Sequence, residues 1–418
     1  MKNIAVIGGG IAGLSCARLL CDSFKVVVFE KDLKPGGLLR CERHEGSLFH
    51  TCGGHVFNTK YERVANWFWS LFNRERDFVK AIRHSAVCLR GDIFVDYPIE
   101  NHVYQLDEKT QKSFASDLAS MINTRRREPS NFDEFLQYQF GKTLYELYFK
   151  PYNDKVWRRR LTEIPLSWLE GKLPTPTPQE MREANDRHLE ETTFVHSSFY
   201  YPKNDGSQFI IDTLLKHLDI RRGVEILKIV QADDGRWRIC GELFDAVVYC
   251  GNIKYIQSVF SGIDFNGIGD KINGLESHGT TAVFCQIDAN PYSWVYQPNA
   301  SHQSHRCICT GNFSASNNAC GMMTGTIEFT DSIDIEEAKM QLNLMPFHPK
   351  YIAHHYTPVS YPVQHDDTRA IVNAAKGILA KEKVYLCGRF AEWEYFNMDV
   401  AINSAMQLTD KIKTIFGV

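Results

Sequence analysis

No Cys-x-x-Cys pair occurs in this chain, although it holds 12 cysteines in 418 residues. Only Cys307 and Cys309 lie close together, so neither a zinc finger nor a redox dithiol is expected, and the cysteines read as reduced structural thiols of a cytoplasmic protein. An excess of one charge is also missing. Against 50 Asp+Glu stand 47 Lys+Arg, a formal net charge of -3, which offers little to nucleic acid or to an anionic membrane surface. The arginine triplets at 125–127 and 158–160 are too short to alter that balance. There is no run of 18 apolar residues, so no membrane span is expected. The apolar start is interrupted by three glycines and Arg18, and it reads as folded structure rather than a signal segment. His354-His355 and His365-Asp366-Asp367 lack a third ligand at suitable spacing, and no metal is expected.

What is present is ordinary globular material, 44% hydrophobic and 23% charged, long enough for two or three domains. Residues 3–7 and 25–30 are apolar strand-like runs on either side of a glycine-rich turn and a helical stretch near 11–22. Apolar residues recur at helical spacing in 61–73 and 131–149. Buried-type strands return at 245–252 and 383–389, period-2 segments at 224–231 and 236–240, and a final helix at 399–416. Segments 281–287, 293–297, 306–310 and 322–330 suggest an antiparallel sheet. The expected fold class is α/β with α+β insertions: a Rossmann-type parallel-sheet domain assembled from 1–60, 205–265 and 380–418, a mainly helical domain at 61–195, and an antiparallel-sheet domain at 266–379.

Gly8-Gly9-Gly10-Ile11-Ala12-Gly13 satisfies GxGxxG, and its place between a strand and a helix makes the pattern specific. Gly8 allows the tight turn, Gly10 lets backbone N–H groups approach a pyrophosphate, and Gly13 allows close helix–strand packing. Glu30 ends the next strand, where a carboxylate can accept from a ribose diol. Gly36-Gly37 follows so soon that a long ligand threading between backbone segments is favoured, which points to FAD over NAD. Gly388-Arg389 ends the last buried strand, where such sheets hold ligand.

GGLLRCERHEGSLFHTCGGHVFNT (36–59), KPYNDKVW (150–157), FYYPKNDGS (199–207), Trp294-Val295-Tyr296, Arg306 with GNFSA (311–315), Tyr361-Pro362 and GRFAEWEYFNMD (388–399) occur in this order. Together they resemble the UDP-galactopyranose mutases, flavoenzymes of the wider amine oxidase and protoporphyrinogen oxidase superfamily. The resemblance implies a pyranose–furanose isomerase in which reduced flavin N5 is the nucleophile, with no net redox change and NAD(P)H as a compatible reductant. It implies a nucleotide-sugar substrate, most readily a UDP-sugar, a role in polysaccharide biosynthesis, and room for homo-oligomers. By the same likeness His55, Arg306 and Arg389 are the catalytic candidates, the arginines as a diphosphate clamp. The cofactor set becomes Gly8, Gly10, Ile11, Ala12, Gly13, Glu30, Lys31, Gly37, Leu38, Arg40, Gly54, His55, Ile226, Gly388, Arg389, Asn397, Met398 and Asp399. The substrate set becomes Tyr97, Glu100, Asn153, Trp157, Lys172, His196, Trp294, Tyr296, Arg306, Tyr361 and Tyr395.

Three positions depart from the family pattern. Tyr97-Pro98-Ile99-Glu100 carries glutamate in place of glutamine, His196 stands for an asparagine, and Lys172 for an arginine. These changes bear on the base and the sugar and leave the diphosphate chemistry in place. Two rival functions fit the same fold: a flavin-dependent amine oxidase or desaturase, and a non-catalytic homologue that binds flavin and nucleotide sugar.

Overall fold

Strand Asn3–Ile7 (β1) buries four of its five residues because it runs through the middle of a sheet, parallel to Lys25–Glu30 (β2) on one side and to Ala246–Tyr249 on the other. Val384–Leu386 and Asp219–Arg222 extend it to five strands, all parallel. Both faces are covered, as the continuous apolar runs require. On one face Val6 and Val28 meet Leu14 of helix Ile11–Leu20 (α1) and Ile402 of the C-terminal helix Met398–Phe416. On the other, Ala5, Val27 and Val247 meet Trp237 and Trp393. The computed structural model describes residues 1–90, 93–124, 126–169, 175–189, 198–319 and 321–418.

The expected strands at 3–7, 25–30, 245–252 and 383–389 all lie in this sheet, and the α/β, Rossmann-type assignment is borne out. A second sheet of seven strands runs in the order Lys350–Pro362, Ser277–Ile287, Met323–Thr330, Arg306–Ile308, Trp294–Tyr296, Ser85–Leu89, Ile93–Asp96. Its pairs are antiparallel except where Trp294–Tyr296 runs parallel to Ser85–Val87. Two of these strands lie in the stretch 61–195, where helical periodicity dominates, and all five residues of Ser85–Leu89 are buried. The same stretch supplies helices Glu108–Asn123, Phe132–Leu144, Lys150–Trp157 and Pro178–Arg187, packed on Phe114, Leu136 and Phe140. A π-helical turn, Tyr145–Phe149, precedes Lys150–Trp157.

Two expectations need amending. Within 224–231 only Ile229–Gln231 is a strand, because Val224 instead gives its N–H to the Glu30 carbonyl and the segment follows the end of β2. The 13-residue strand Lys350–Pro362 was not anticipated from its mixed His, Thr and Pro composition. It is an edge strand, where Pro358 costs no ladder bond.

Candidate active site

The turn after β1 is built around close backbone approach. Gly8 has φ +112° and gives its N–H to Phe29 O, and a Cβ on Gly13 would lie 2.0 Å from the Gly8 carbonyl oxygen. Glu30 is buried and occupied from two sides: Gly9 N–H donates to Oε2 at 2.6 Å and Asp32 N–H to Oε1 at 2.8 Å. Gly10, at the start of α1, carries no side-chain cap and forms a bridge with Gly36. A Cβ on Gly37 would stand 3.5 Å from Gly10 Cα, and one on Gly388 would meet Ala12 Cβ at 2.7 Å. Glycines of three separated segments, 8–13, 36–37 and 388, thus leave a backbone-lined cradle at a helix N-terminus, the donor set a dinucleotide pyrophosphate needs. Around it lie half-buried Ile11, Leu38 and Ile226, exposed Lys31, and Arg40, which is paired with Asp32 at 2.8 Å. At the far end Asn397 precedes the last helix, Met398 is buried, and burial raises the Asp399 carboxyl although the Thr59 hydroxyl opposes it.

His55 lies 6.2 Å, ring to ring, from His50, whose Nδ1 is 3.2 Å from the Ser207 hydroxyl that donates to Leu39 O in the Gly37–Leu39 turn. Gly54 before His55 is pinned: a Cβ there would meet Ile308 Cγ2 at 2.7 Å and Trp294 Nε1 at 3.3 Å. Burial lowers the His55 imidazole to about 3, with His50 and Arg389 adding to the effect, so the ring is neutral. Its Nε2 is enclosed and has no hydrogen-bond partner among the described residues. An orphaned buried ring nitrogen fits a ligand heteroatom.

Arg306 and Arg389 are joined through two tyrosines. Arg306 Nη2 donates to the Tyr361 hydroxyl at 3.1 Å, Tyr361 stacks on Tyr395 with centroids 5.5 Å apart, and the Arg389 guanidinium lies 4.6 Å over the Tyr395 ring. The two arginines are not equivalent. Burial alone would lower the Arg306 guanidinium, and the Glu328 carboxylate beside it more than reverses that, holding it well above its ordinary value. Arg389 donates to the carbonyls of Ser360 and Phe396 and makes no ion pair among the described residues.

A tyrosine shelf continues from Arg306. Tyr97 lies 4.8 Å from Tyr296, and Tyr152 meets Tyr296 edge-on at 5.6 Å. Glu100 is 3% exposed, and its carbonyl accepts from Asn185. Trp294 packs with Phe199 and Phe313 and carries the Arg83 guanidinium 4.7 Å over its ring. Asn153 and Trp157 are brought together on the helix that carries Tyr152, and Trp157 belongs to the apolar cluster on which the shelf tyrosines pack: Trp157 Nε1 donates to Asn153 Oδ1 at 3.2 Å, and Asn153 Nδ2 to Phe149 O. Lys172 and His196 lie outside the described residues.

Four residues of this region escape a reading by sequence. Glu328 is a single acid in MTGTIEFT, and only the strand register puts it opposite Arg306. Arg83 donates to the Tyr296 hydroxyl at 2.7 Å and to Ser85 Oγ at 2.9 Å. Tyr152 and Lys155 sit inside KPYNDKVW, a segment singled out for other members. Lys155 Nζ donates to the carbonyls of Gln297, Asn299 and Ser304, tying that helix to the loop between the strands that bear Tyr296 and Arg306. Burial lowers its amine to about 7.

The NAD(P)-binding Rossmann-like domain profile matches residues 6–72. A probable UDP-galactopyranose mutase of Klebsiella pneumoniae is 23% identical over 429 residues, covering 98% of this chain and 94% of that protein. A dTDP-fucopyranose mutase of Escherichia coli is 27% identical over 269 residues, 63% of this chain and 66% of that one. Among solved structures, reduced UDP-galactopyranose mutase superposes with a TM-score of 0.88 at 22% identity, covering 100% of this chain and 96% of its own. The likeness read from the motifs therefore extends over the whole chain, and the fold is the one seen in reduced UDP-galactopyranose mutase.

Proposed function

We propose that this protein is an FAD-dependent isomerase that interconverts the pyranose and furanose forms of a nucleotide sugar, a UDP-sugar first among them, with no net redox change. The observation that carries the proposal is the Arg306–Tyr361–Tyr395–Arg389 chain, set beside the orphaned Nε2 of His55. An oxidase of small amines has no use for two arginines joined in this way, whereas a leaving diphosphate needs fixed guanidinium donors in a site shielded from water.

In this reading Gly8, Gly10, Gly13 and Gly37 admit the FAD pyrophosphate to the start of α1, and Glu30 receives the ribose. Bound and reduced, FAD supplies a nucleophilic nitrogen, with NAD(P)H as the reductant. His55 meets the flavin as a neutral imidazole, a hydrogen-bond partner rather than a cation, since its pKa is lowered to about 3 by burial. Arg306 and Arg389 grip the diphosphate, and Tyr97, Tyr152 and Tyr296 offer ring faces to the base. The relative that acts on dTDP-fucopyranose makes a thymidine nucleotide the second choice of carrier. A cytoplasmic setting belongs to the same proposal, and among the described residues no helix is long and apolar enough to cross a membrane.

The test is incubation of the FAD-loaded, dithionite-reduced protein with UDP-galactofuranose under argon. Conversion to UDP-galactopyranose without stoichiometric loss of reductant is expected. Absence of conversion, with electrons passing to oxygen when an amine is supplied, would favour the oxidase reading.

A further inference from the structure

Glu328 occupies the middle of strand Met323–Thr330, directly opposite Arg306 in register, and none of its side chain is exposed. Its two oxygens serve different elements. Oε2 accepts from Arg306 Nε at 2.6 Å and also contacts Nη2, while Oε1 accepts the Gly53 N–H at 2.8 Å. Gly53, at φ +70°, is the residue from which the chain turns into Gly54 and His55. One carboxylate therefore spans the arginine at the diphosphate end and the turn that aims His55.

The charges around this carboxylate are few. His305 Nε2 lies 3.9 Å from Oε2, yet burial holds that imidazole well below its ordinary value, so it is neutral and adds nothing. Cys52 is a buried thiol pushed up to about 12 by burial and is likewise uncharged. Arg306 and Glu328 thus cancel, and Arg389 has no carboxylate to cancel it among the described residues.

We propose that Glu328 is a positioning residue: it neutralises Arg306, fixes the Gly53–His55 turn through its other oxygen, and leaves Arg389 to supply the net positive charge that a nucleoside diphosphate meets. This rests on the nucleotide-sugar reading given above. A diphosphate held by one uncompensated arginine and one neutralised, oriented arginine is bound less tightly than one held by two free cations. That suits a group which must leave and be recaptured within one turnover.

The two ends can be separated by substitution in the full-length, FAD-loaded protein. Glu328→Gln keeps an oxygen for the Gly53 N–H but puts an amide, which cannot neutralise a cation, against Arg306. UDP, titrated by calorimetry, is expected to bind at least about fivefold tighter to this variant, with the visible flavin spectrum unchanged. Glu328→Ala releases both ends, so the flavin spectrum should shift as well. A generally damaged site would not bind UDP more tightly.

Unchanged or weaker UDP binding by Glu328→Gln overturns the neutralising role. A wild-type flavin spectrum in Glu328→Ala overturns the link to the turn, and if that variant does not fold the glutamine variant decides alone. A wild-type protein that binds neither UDP nor dTDP overturns the nucleotide-sugar reading and this proposal with it.

Discussion

His50 Nε2 lies 2.8 Å from the Tyr201 hydroxyl, and the Nδ1 of the same ring lies 3.2 Å from Ser207 Oγ. One fully buried imidazole thereby joins the aromatic strand Ser198–Pro202 to the start of helix Gly206–Leu214, and its ring stands 6.2 Å from that of His55. Burial lowers His50 to about 4, the Glu328 charge opposing only in part.

A pH dependence of stability follows from that burial. An unfolded histidine takes its proton near pH 6.5, so between about 6.5 and 4 the unfolded chain binds more protons than the folded one. This contribution is fully present above pH 6.5 and is lost as pH falls through that window. His55, lowered to about 3, acts in the same direction. Urea unfolding at a series of pH values should show stability falling below pH 6.5, and His50→Gln should remove about one proton from the slope. An identical slope in the variant would show that His50 is not held neutral.

Gly13 is the most constrained position of the dinucleotide cradle. Because a Cβ there would stand 2.0 Å from Gly8 O, Gly13→Ala must push α1 away from β1. Overpacking against backbone costs about 1–3 kcal/mol, and the displaced helix N-terminus no longer faces the pyrophosphate. The expected outcome is a folded but colourless protein, checked as bound flavin per mole of chain. Retention of full FAD content would place the pyrophosphate elsewhere.

Arg306→Ala is not a clean deletion of a ligand contact. It strands Glu328, whose side chain is wholly buried, and loss of one member of a buried pair costs about 3–5 kcal/mol. Most of that stability should return in Arg306→Ala combined with Glu328→Gln, which leaves no charge behind. Denaturant midpoints of the four proteins in this cycle check it. A loss of under about 1 kcal/mol in the single variant would mean that the pair is reached by water.

Much of this architecture is legible before the coordinates because it rests on short-range patterns. GxGxxG between an apolar run and a helix, Glu30 at the next strand end and Gly388 after VYL are local signals, and each takes its place around one sheet. Glu328 and Arg83 are not legible in that way. Each acquires its role from partners far along the chain, Arg306 and Gly53 for the first and Tyr296 and Trp294 for the second; strand register sets Arg306 opposite Glu328 and Trp294 opposite Ser85, and turns outside the strands bring in Gly53 and Arg83. The edge strand Lys350–Pro362 escaped for a different reason. It has no continuous buried face, so its composition carries little periodicity.

The last prediction concerns the base. Glu100 follows Tyr97 in the turn beneath the tyrosine shelf and is 3% exposed, and His196, the other departure near the base, lies outside the described residues. An ionised carboxylate only accepts, so toward a pyrimidine it can address only an N–H. Uracil and thymine present the same N3–H between the same two carbonyl oxygens and differ at the 5-methyl, which a carboxylate cannot read. Glu100→Gln should therefore change the affinity for UDP and for dTDP together and in the same direction. Their ratio should stay constant within about twofold, a difference of about 0.4 kcal/mol. Calorimetric titration of both nucleotides into both proteins measures this, and a ratio moved by more than about tenfold would mean that Glu100 senses the 5-position or the ribose instead.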